Sequence, residues 1–373
     1  MRMVINTSPL LDPLTGVGNY ISHLIQYFNF LSPENNYTYY YGFFTKNLLY
    51  GNKKIYQTKR LLRRIPFLMS TLRQGKIFFS GFHYKEFDIY FEPNFIPVNI
   101  KAKKTVTTIH DFSFHLYPQW HPKDRVGFYS KHFFKNINRS NRVITDSFYI
   151  KGEALNILNL SSDVVIPIHL GIQHNIFRVY DRTLSEKIRN KMDLPENFIL
   201  YVGNIEPRKN VRGLLQAYLE LPDSLRKELK LVLVGFEGWN NPEVMELLNK
   251  IGDDAKYMGY IQTKDLAYIY NLANLFIYPS LYEGFGLPPL EAMASGCPVV
   301  VSNVASLPEV CGDAAYYVNP YDVESIADGI YKVVSDKELR ENLVQKGLER
   351  AKLFSWEKSA REHLKVFEEV LNS

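Results

Sequence analysis

The chain has 373 residues, of which 46% are hydrophobic, 22% charged and 14% aromatic; at about 150 residues per domain this suggests two globular domains and excludes a disordered or fibrous chain. Cys297 and Cys311 allow at most one bridge, no run of about 18 apolar residues could span a bilayer, and MRMVINTSPLLDPLTG lacks the apolar stretch of a signal peptide. A cytoplasmic protein, at most peripheral on a membrane, is the expectation.

The net charge of +5 is unevenly spread. Residues 1–180 hold 22 Lys and Arg against 10 Asp and Glu, and residues 35–85 hold ten basic residues (the first Lys46, the last Lys85) and no acidic one. A solvated face normally mixes signs, so an anionic partner is expected for this half, with nucleic acid and an anionic leaflet both open at this point.

In chain order, Met3-Val4-Ile5 reads as a strand, followed by the turn-rich loop TSPLLDPLTGVGN. Ile21, Leu24, Ile25 and Phe28 then repeat at helical spacing. Further strands are expected at 37–44, 105–109, 142–145 and 164–168, with a helix over 124–138. After His169-Leu170-Gly171-Ile172 a second run begins: strands at 198–202, 231–234, 275–278 and 298–302, helices near 210–219, 242–250, 264–272, 289–295 and 323–334. A last helix over 356–371 carries Ala360, Leu364, Phe367, Val370 and Leu371 at helical spacing. Alternating strands and helices point to parallel α/β sheets.

Ligands of such sheets sit beyond the carboxyl ends of the strands. After the first strand, Gly16 and Gly18 let the backbone approach a ligand at a helix start, or belong to an ordinary connecting loop. His110-Asp111 follows the strand at 105–109, where a histidine can polarise or accept a proton from a hydroxyl, although a lone histidine is often structural. His115, His121 and His132 are left to structure or acceptor contacts. In YVGNIEPRKN, Gly203 precedes Arg208 and Lys209 near a helix start, where two cations suit a diphosphate. In PSLYEGFGLPPLEAMASGCPVV, the loop Glu283-Gly284-Phe285-Gly286-Leu287 runs into Pro288-Pro289, so its amides suit phosphate or sugar oxygens. Acids beside an anion site repel it, so Glu283 and Glu291 suit hydroxyl groups better. No Walker-type loop, H-E-x-x-H, paired C-x-x-C or D-x-D occurs, so no protein-bound metal or resident cofactor is expected.

With these motifs the sequence resembles the large retaining glycosyltransferase family 4. The matching pieces are TGVGNY, TIHDFSF, TDSFYIK, IHLGIQHNIFR, YVGNIEPRKNVRGLL, MGYIQTKDL and the E-x₇-E block, in the family's order across almost the whole chain. HDFSFHLYP with EPRKN looks most like the bacterial mannosyltransferases of O-antigen and other surface polysaccharides. The resemblance implies an α/β GT-B fold, two Rossmann-like doubly wound domains flanking a cleft: an acceptor-binding domain over 1–175, onto which 356–373 packs back, and a nucleotide-sugar domain over 176–355.

It also implies roles. Gly16 and Gly18 would approach the donor diphosphate, His110 would sit near the transferred sugar, Asp111 would meet the acceptor, and Arg208 and Lys209 would hold the diphosphate without a metal. Glu283 and the amides of Gly284, Phe285, Gly286 and Leu287 would contact the sugar, Glu291 the ribose, and the backbone around Tyr260-Ile261 the base. Asn204, after Gly203, stands where some relatives have arginine and puts more of the neutralisation on Arg208 and Lys209. The implied donor is a nucleoside-diphosphate sugar, GDP-mannose ahead of dTDP-rhamnose or a UDP-hexose. The acceptor would be a glycan or polyprenyl-diphosphate-linked hydroxyl, with residues 46–85 on an anionic membrane or the acceptor diphosphate. Rival readings are an epimerase or soluble-acceptor synthase of the same fold, a nucleic-acid binder (disfavoured, with no recognition module) and a nucleotide-sugar sensor.

Overall fold

Largely buried strands set the sheets of the computed structural model, which describes residues 1–11, 16–51, 86–239 and 242–373. The chain divides into two units: Met1–Leu170 with Trp356–Ser373, and Gly171–Ser355.

The first unit's sheet is built from β1 (Arg2–Asn6), β2 (Asn36–Tyr40), β3 (Phe44–Thr45), β4 (Phe87–Glu92), β5 (Ala102–Ile109), β6 (Arg142–Thr145) and β7 (Val165–Pro167), in the order β3-β2-β1-β4-β5-β6-β7. All pairings are parallel except β2 with β3. The single strand expected over 37–44 is a hairpin, because Gly42 takes a left-handed φ of 97°. β4, which the sequence pattern did not reveal, has Asp88 and Glu92 interrupting its apolar run, and Glu92 is fully buried.

The helix Gly16–Leu31 buries Tyr20, Ile21, Leu24, Ile25 and Phe28 on one face. It begins at Gly16, so both Gly16 and Gly18 lie in its first turn rather than in the loop expected for them. Against it packs the helix Trp356–Asn372, whose Phe367 ring centre lies 5.7 Å from that of Phe28 and 5.1 Å from that of Phe91 on β4.

The second unit holds β8 (Phe198–Val202), β9 (Lys230–Val234), β10 (Ala255–Tyr257), β11 (Leu275–Tyr278), β12 (Val299–Ser302) and β13 (Tyr316–Val318), all parallel, in the order β10-β9-β8-β11-β12-β13. Every residue of β8, β11 and β12 is buried, as in a parallel sheet covered on both faces. The expected helices occur as Val211–Glu220, Pro242–Ile251, Thr263–Leu272, Leu287–Ala294 and Val323–Ser335. Periodicity missed the short helices Asp223–Glu228 and Leu307–Cys311 and the longer Arg182–Met192 and Lys337–Ala351; the strongly polar sequences of the longer two hide the apolar stripe, while Asp181 and Asp336 cap them.

Both sheets are doubly wound in the Rossmann manner, with strand order reversing between β1 and β4 and between β8 and β11. No helix among the described residues is long and apolar enough to cross a membrane. The basic segment centred on KRLLRRIPFLMSTLRQGK lies outside the described residues, apart from its flanks such as Lys46.

Candidate active site

At the reversal point of the second sheet, the loops after β8 and β11 face each other and are fastened by a bond from the Leu281 amide to the Arg208 carbonyl, 2.9 Å. After β8 the chain passes Gly203 and the half-buried Asn204, then turns through Pro207–Lys209 into the helix Val211–Glu220. This path runs close to the loop after β9: a Cβ on Gly235, at φ +149°, would stand 2.0 Å from the Gly203 carbonyl oxygen.

The turn delivers both cations to one carboxylate. Lys209 Nζ lies 2.6 Å from Glu283 Oε1, and Arg208 Nη1 lies 2.9 Å from Glu283 Oε2. Arg208 also reaches Glu206 Oε1 at 2.9 Å and donates to the Tyr282 carbonyl at 3.1 Å. Lys209 donates to the Tyr278 hydroxyl, and its ammonium sits 4.9 Å from that ring's centre. Lys209, Glu206 and Glu283 are all buried. Burial alone would raise the Glu283 carboxyl, but Arg208 and Lys209 outweigh it and take it down to about 2. Burial and Arg208 lower the Lys209 ammonium, with Glu283 opposing. Glu283, read from the sequence as suiting the hydroxyl groups of a ligand, is held between the two cations.

Beyond Glu283, the Ser306 hydroxyl donates toward the carbonyls of Glu283 (2.9 Å) and Phe285 (2.7 Å), pinning the glycine loop from below. Gly286, at φ 118°, ends the loop and starts the helix Leu287–Ala294, which brings Glu291 around one turn later. Glu291 accepts from the Tyr270 hydroxyl at 3.1 Å, and burial pushes its carboxyl up to about 7. After β10, Tyr260 is 51% exposed and stacks on Phe236 with ring centres 4.7 Å apart; Ile261 follows it, half-buried.

The first unit has its own polar centre across the carboxyl ends of four neighbouring strands. His110, after β5, places Nδ1 2.8 Å from Asp146 Oδ2, after β6, and Nε2 2.9 Å from the Pro93 carbonyl, after β4. Next along, Glu92 accepts from Asn6 of β1 (2.7 Å), the Tyr90 hydroxyl (2.5 Å) and the Asn94 amide (3.1 Å). Burial raises Glu92 to about 8. Sequence reasoning missed Asp146 and Glu92; the one signal available was that each ends a β-rich run, Asp146 directly before Ser147, which caps the helix Phe148–Leu158. Asp111, expected to meet the acceptor, turns Oδ1 back to the Ser113 amide (2.9 Å) and hydroxyl (2.7 Å).

Residues 185–350 match the family model described as glycosyl transferases group 1. The chain is 34% identical to O-antigen chain mannosyltransferase B of Escherichia coli, over 98% of this chain and 99% of that one. It is 32% identical to the serotype-specific mannosyltransferase WbdA of Escherichia coli over 74% of this chain, which corresponds to 35% of that protein. Among solved structures, sucrose-phosphate synthase from Thermosynechococcus elongatus shares the fold, with a TM-score of 0.71 at 18% identity over 100% of this chain and 99% of that one. Near-full-length likeness to one member and the family match over the second unit agree, and the chain belongs to the group 1 glycosyl transferases.

Proposed function

We propose that the protein is a retaining mannosyltransferase of surface polysaccharide assembly, taking its sugar from GDP-mannose and passing it to a hydroxyl of a glycan or polyprenyl-diphosphate-linked acceptor. The observation that carries this reading is the buried Arg208–Lys209–Glu283 cluster at the reversal point of the second sheet. The preference for mannose rests on the names of the Escherichia coli relatives.

In this reading Glu283 holds Arg208 and Lys209 aimed at the leaving diphosphate, and the two cations supply the charge that a metal would otherwise bring. The amides of Gly284 to Leu287 meet the sugar, Glu291 accepts from the ribose, and the segment at Tyr260 and Ile261 meets the base, with Gly203 and Asn204 beside the phosphates. The first unit takes the acceptor, and His110 serves the transferred sugar. The acceptor oxygen bonds to the anomeric carbon on the face from which the diphosphate leaves. The anomeric carbon–oxygen bond breaks with its electron pair passing to the diphosphate, and the acceptor's proton goes to that same leaving oxygen. A fixed charge placed where charge develops lowers the barrier because it needs no reorganisation at that moment.

Incubating the protein with GDP-mannose labelled at the anomeric carbon and a mannosyl acceptor tests this. NMR of the product is expected to show an α-linked mannose, formed equally in the presence of EDTA. A β-linked product, or transfer abolished by EDTA and restored by a divalent cation, would contradict it.

A further inference from the structure

His110 is bonded at both ring nitrogens, to a carbonyl that can only accept and to a carboxyl group. The Pro93 carbonyl can only accept, so Nε2 donates to it at 2.9 Å. Burial raises the Asp146 carboxyl while His110 opposes it; with Asp146 ionised its carboxylate can only accept, and Nδ1 then donates to it at 2.8 Å. A ring that donates from both nitrogens is an imidazolium.

The surroundings fit that state. The Tyr20 ring meets His110 edge-on at 5.1 Å and the Phe95 ring does so at 5.5 Å, which fixes the imidazole plane from two sides. The charged and titratable groups facing it are Asp146 beyond β6, the neighbouring Asp111, and His363 on the helix Trp356–Asn372; His169 acts on Asp146 in turn. Tyr20 itself is tied by its hydroxyl to His363 Nε2 at 2.7 Å and to Thr108 at 2.8 Å. His363 donates from Nδ1 to the Ser359 carbonyl at 2.7 Å, and burial lowers its imidazole to about 4, so the ring is neutral and Nε2 accepts from the Tyr20 hydroxyl. Burial would lower His110, but Asp146, the Pro93 carbonyl and Asp111 together offset it and the net shift is upward.

We infer that Asp146 is the positioning residue of His110: its carboxylate and the Pro93 carbonyl take both ring N–H groups, so that His110 serves the transferred sugar as a fixed positive charge with no lone pair left to accept a proton. The inference rests on the reading of His110 as the group that serves that sugar. It assigns the sequence TDS a part in the site, and it removes His110 from the candidates for general base.

Side-chain nitrogen NMR reads the state directly and needs no substrate. The His110 signals are assigned by their loss in His110→Gln. In the wild-type protein both nitrogens are expected to stay protonated at pH 8, where an ordinary imidazole, with a pKa near 6.5, is neutral. In Asp146→Asn the second proton is expected to be gone by that pH, and kcat is expected to fall about 10- to 100-fold, the usual range for loss of an orienting partner, with the KM for the donor little changed. Adding His110→Ala to Asp146→Asn should cost no more than His110→Ala alone. A wild-type His110 that is neutral at pH 8 overturns the inference whether or not the variant folds, and so does an Asp146→Asn protein with unchanged nitrogen signals. His110→Ala turning over like the wild type would instead overturn the underlying reading of His110, a failure distinguishable because the nitrogen signals are recorded without turnover.

Discussion

Arg208 and Lys209 are adjacent in sequence, yet they reach the same carboxylate only because a tight turn at Pro207–Lys209 brings both side chains to Glu283 on the facing loop. Removing the Lys209 cation of this buried cluster leaves the Glu283 carboxylate with Arg208 alone and takes one fixed charge from the site. Lys209→Ala is therefore expected to lower kcat by two orders of magnitude or more, on the order of 3 kcal/mol in the barrier; steady-state transfer with turnover within about threefold of wild type would remove Lys209 from the mechanism. Glu283, held to about 2, stays ionised throughout the working pH range and contributes no pH dependence there. Glu291 does. With its carboxyl raised to about 7 by burial, it is mostly protonated at pH 6 and mostly ionised at pH 8. If the ionised form accepts the ribose hydroxyls, GDP-mannose should bind about tenfold more tightly at pH 8 than at pH 6, following the ionised fraction. Calorimetric titration checks this, and Glu291→Gln should bind weakly with a flat pH profile.

At the scale of elements, what periodicity could show depended on how a segment is covered. β8, β11 and β12 are buried along their whole length and read as plain apolar runs, so the sequence pattern located them with the glycine loops that follow. β4 escaped because its buried Glu92 looks like a surface residue until Asn6, Tyr90 and Asn94 are placed around it, and those partners come from two strands and a loop. Asp146 escaped for the same reason: its partner His110 is 36 residues away in sequence. TGVGN read as a loop because two glycines weaken a helix, yet Gly18 is buried in the first turn of Gly16–Leu31. The Trp356–Asn372 helix was legible from its stripe, and its packing makes it a structural part of the first unit. Phe367 is fully buried between Phe28 and Phe91. Phe367→Ala is expected to cost about 3–5 kcal/mol through lost burial and the cavity left behind; a denaturant midpoint for the first unit that does not move would show that the helix is dispensable.

For the whole molecule, the order of motifs along the chain conveyed more than any one of them. Each doubly wound unit brings its chemistry to the carboxyl ends of its strands: His110, Asp146 and Glu92 in the first, Arg208, Lys209, Glu283 and Glu291 in the second. The fold and the residues of the second unit's cluster were therefore legible from strand ends followed by glycine and charge, whereas the pairing of Glu283 with Arg208 and Lys209 and the His110 centre needed three dimensions to be recognised. The nucleotide and sugar are set by contacts that composition does not encode, and they are where direct measurement adds most.

That measurement is the melting temperature of the protein with GDP-mannose, dTDP-rhamnose, UDP-glucose, UDP-N-acetylglucosamine and NAD, each with and without EDTA. A ligand at about 100 times its dissociation constant stabilises the native state by about 2.7 kcal/mol, enough to move the transition visibly. GDP-mannose is expected to give a shift that EDTA leaves intact and that Lys209→Ala abolishes. A shift with NAD alone, or no shift with any nucleotide sugar, would contradict it.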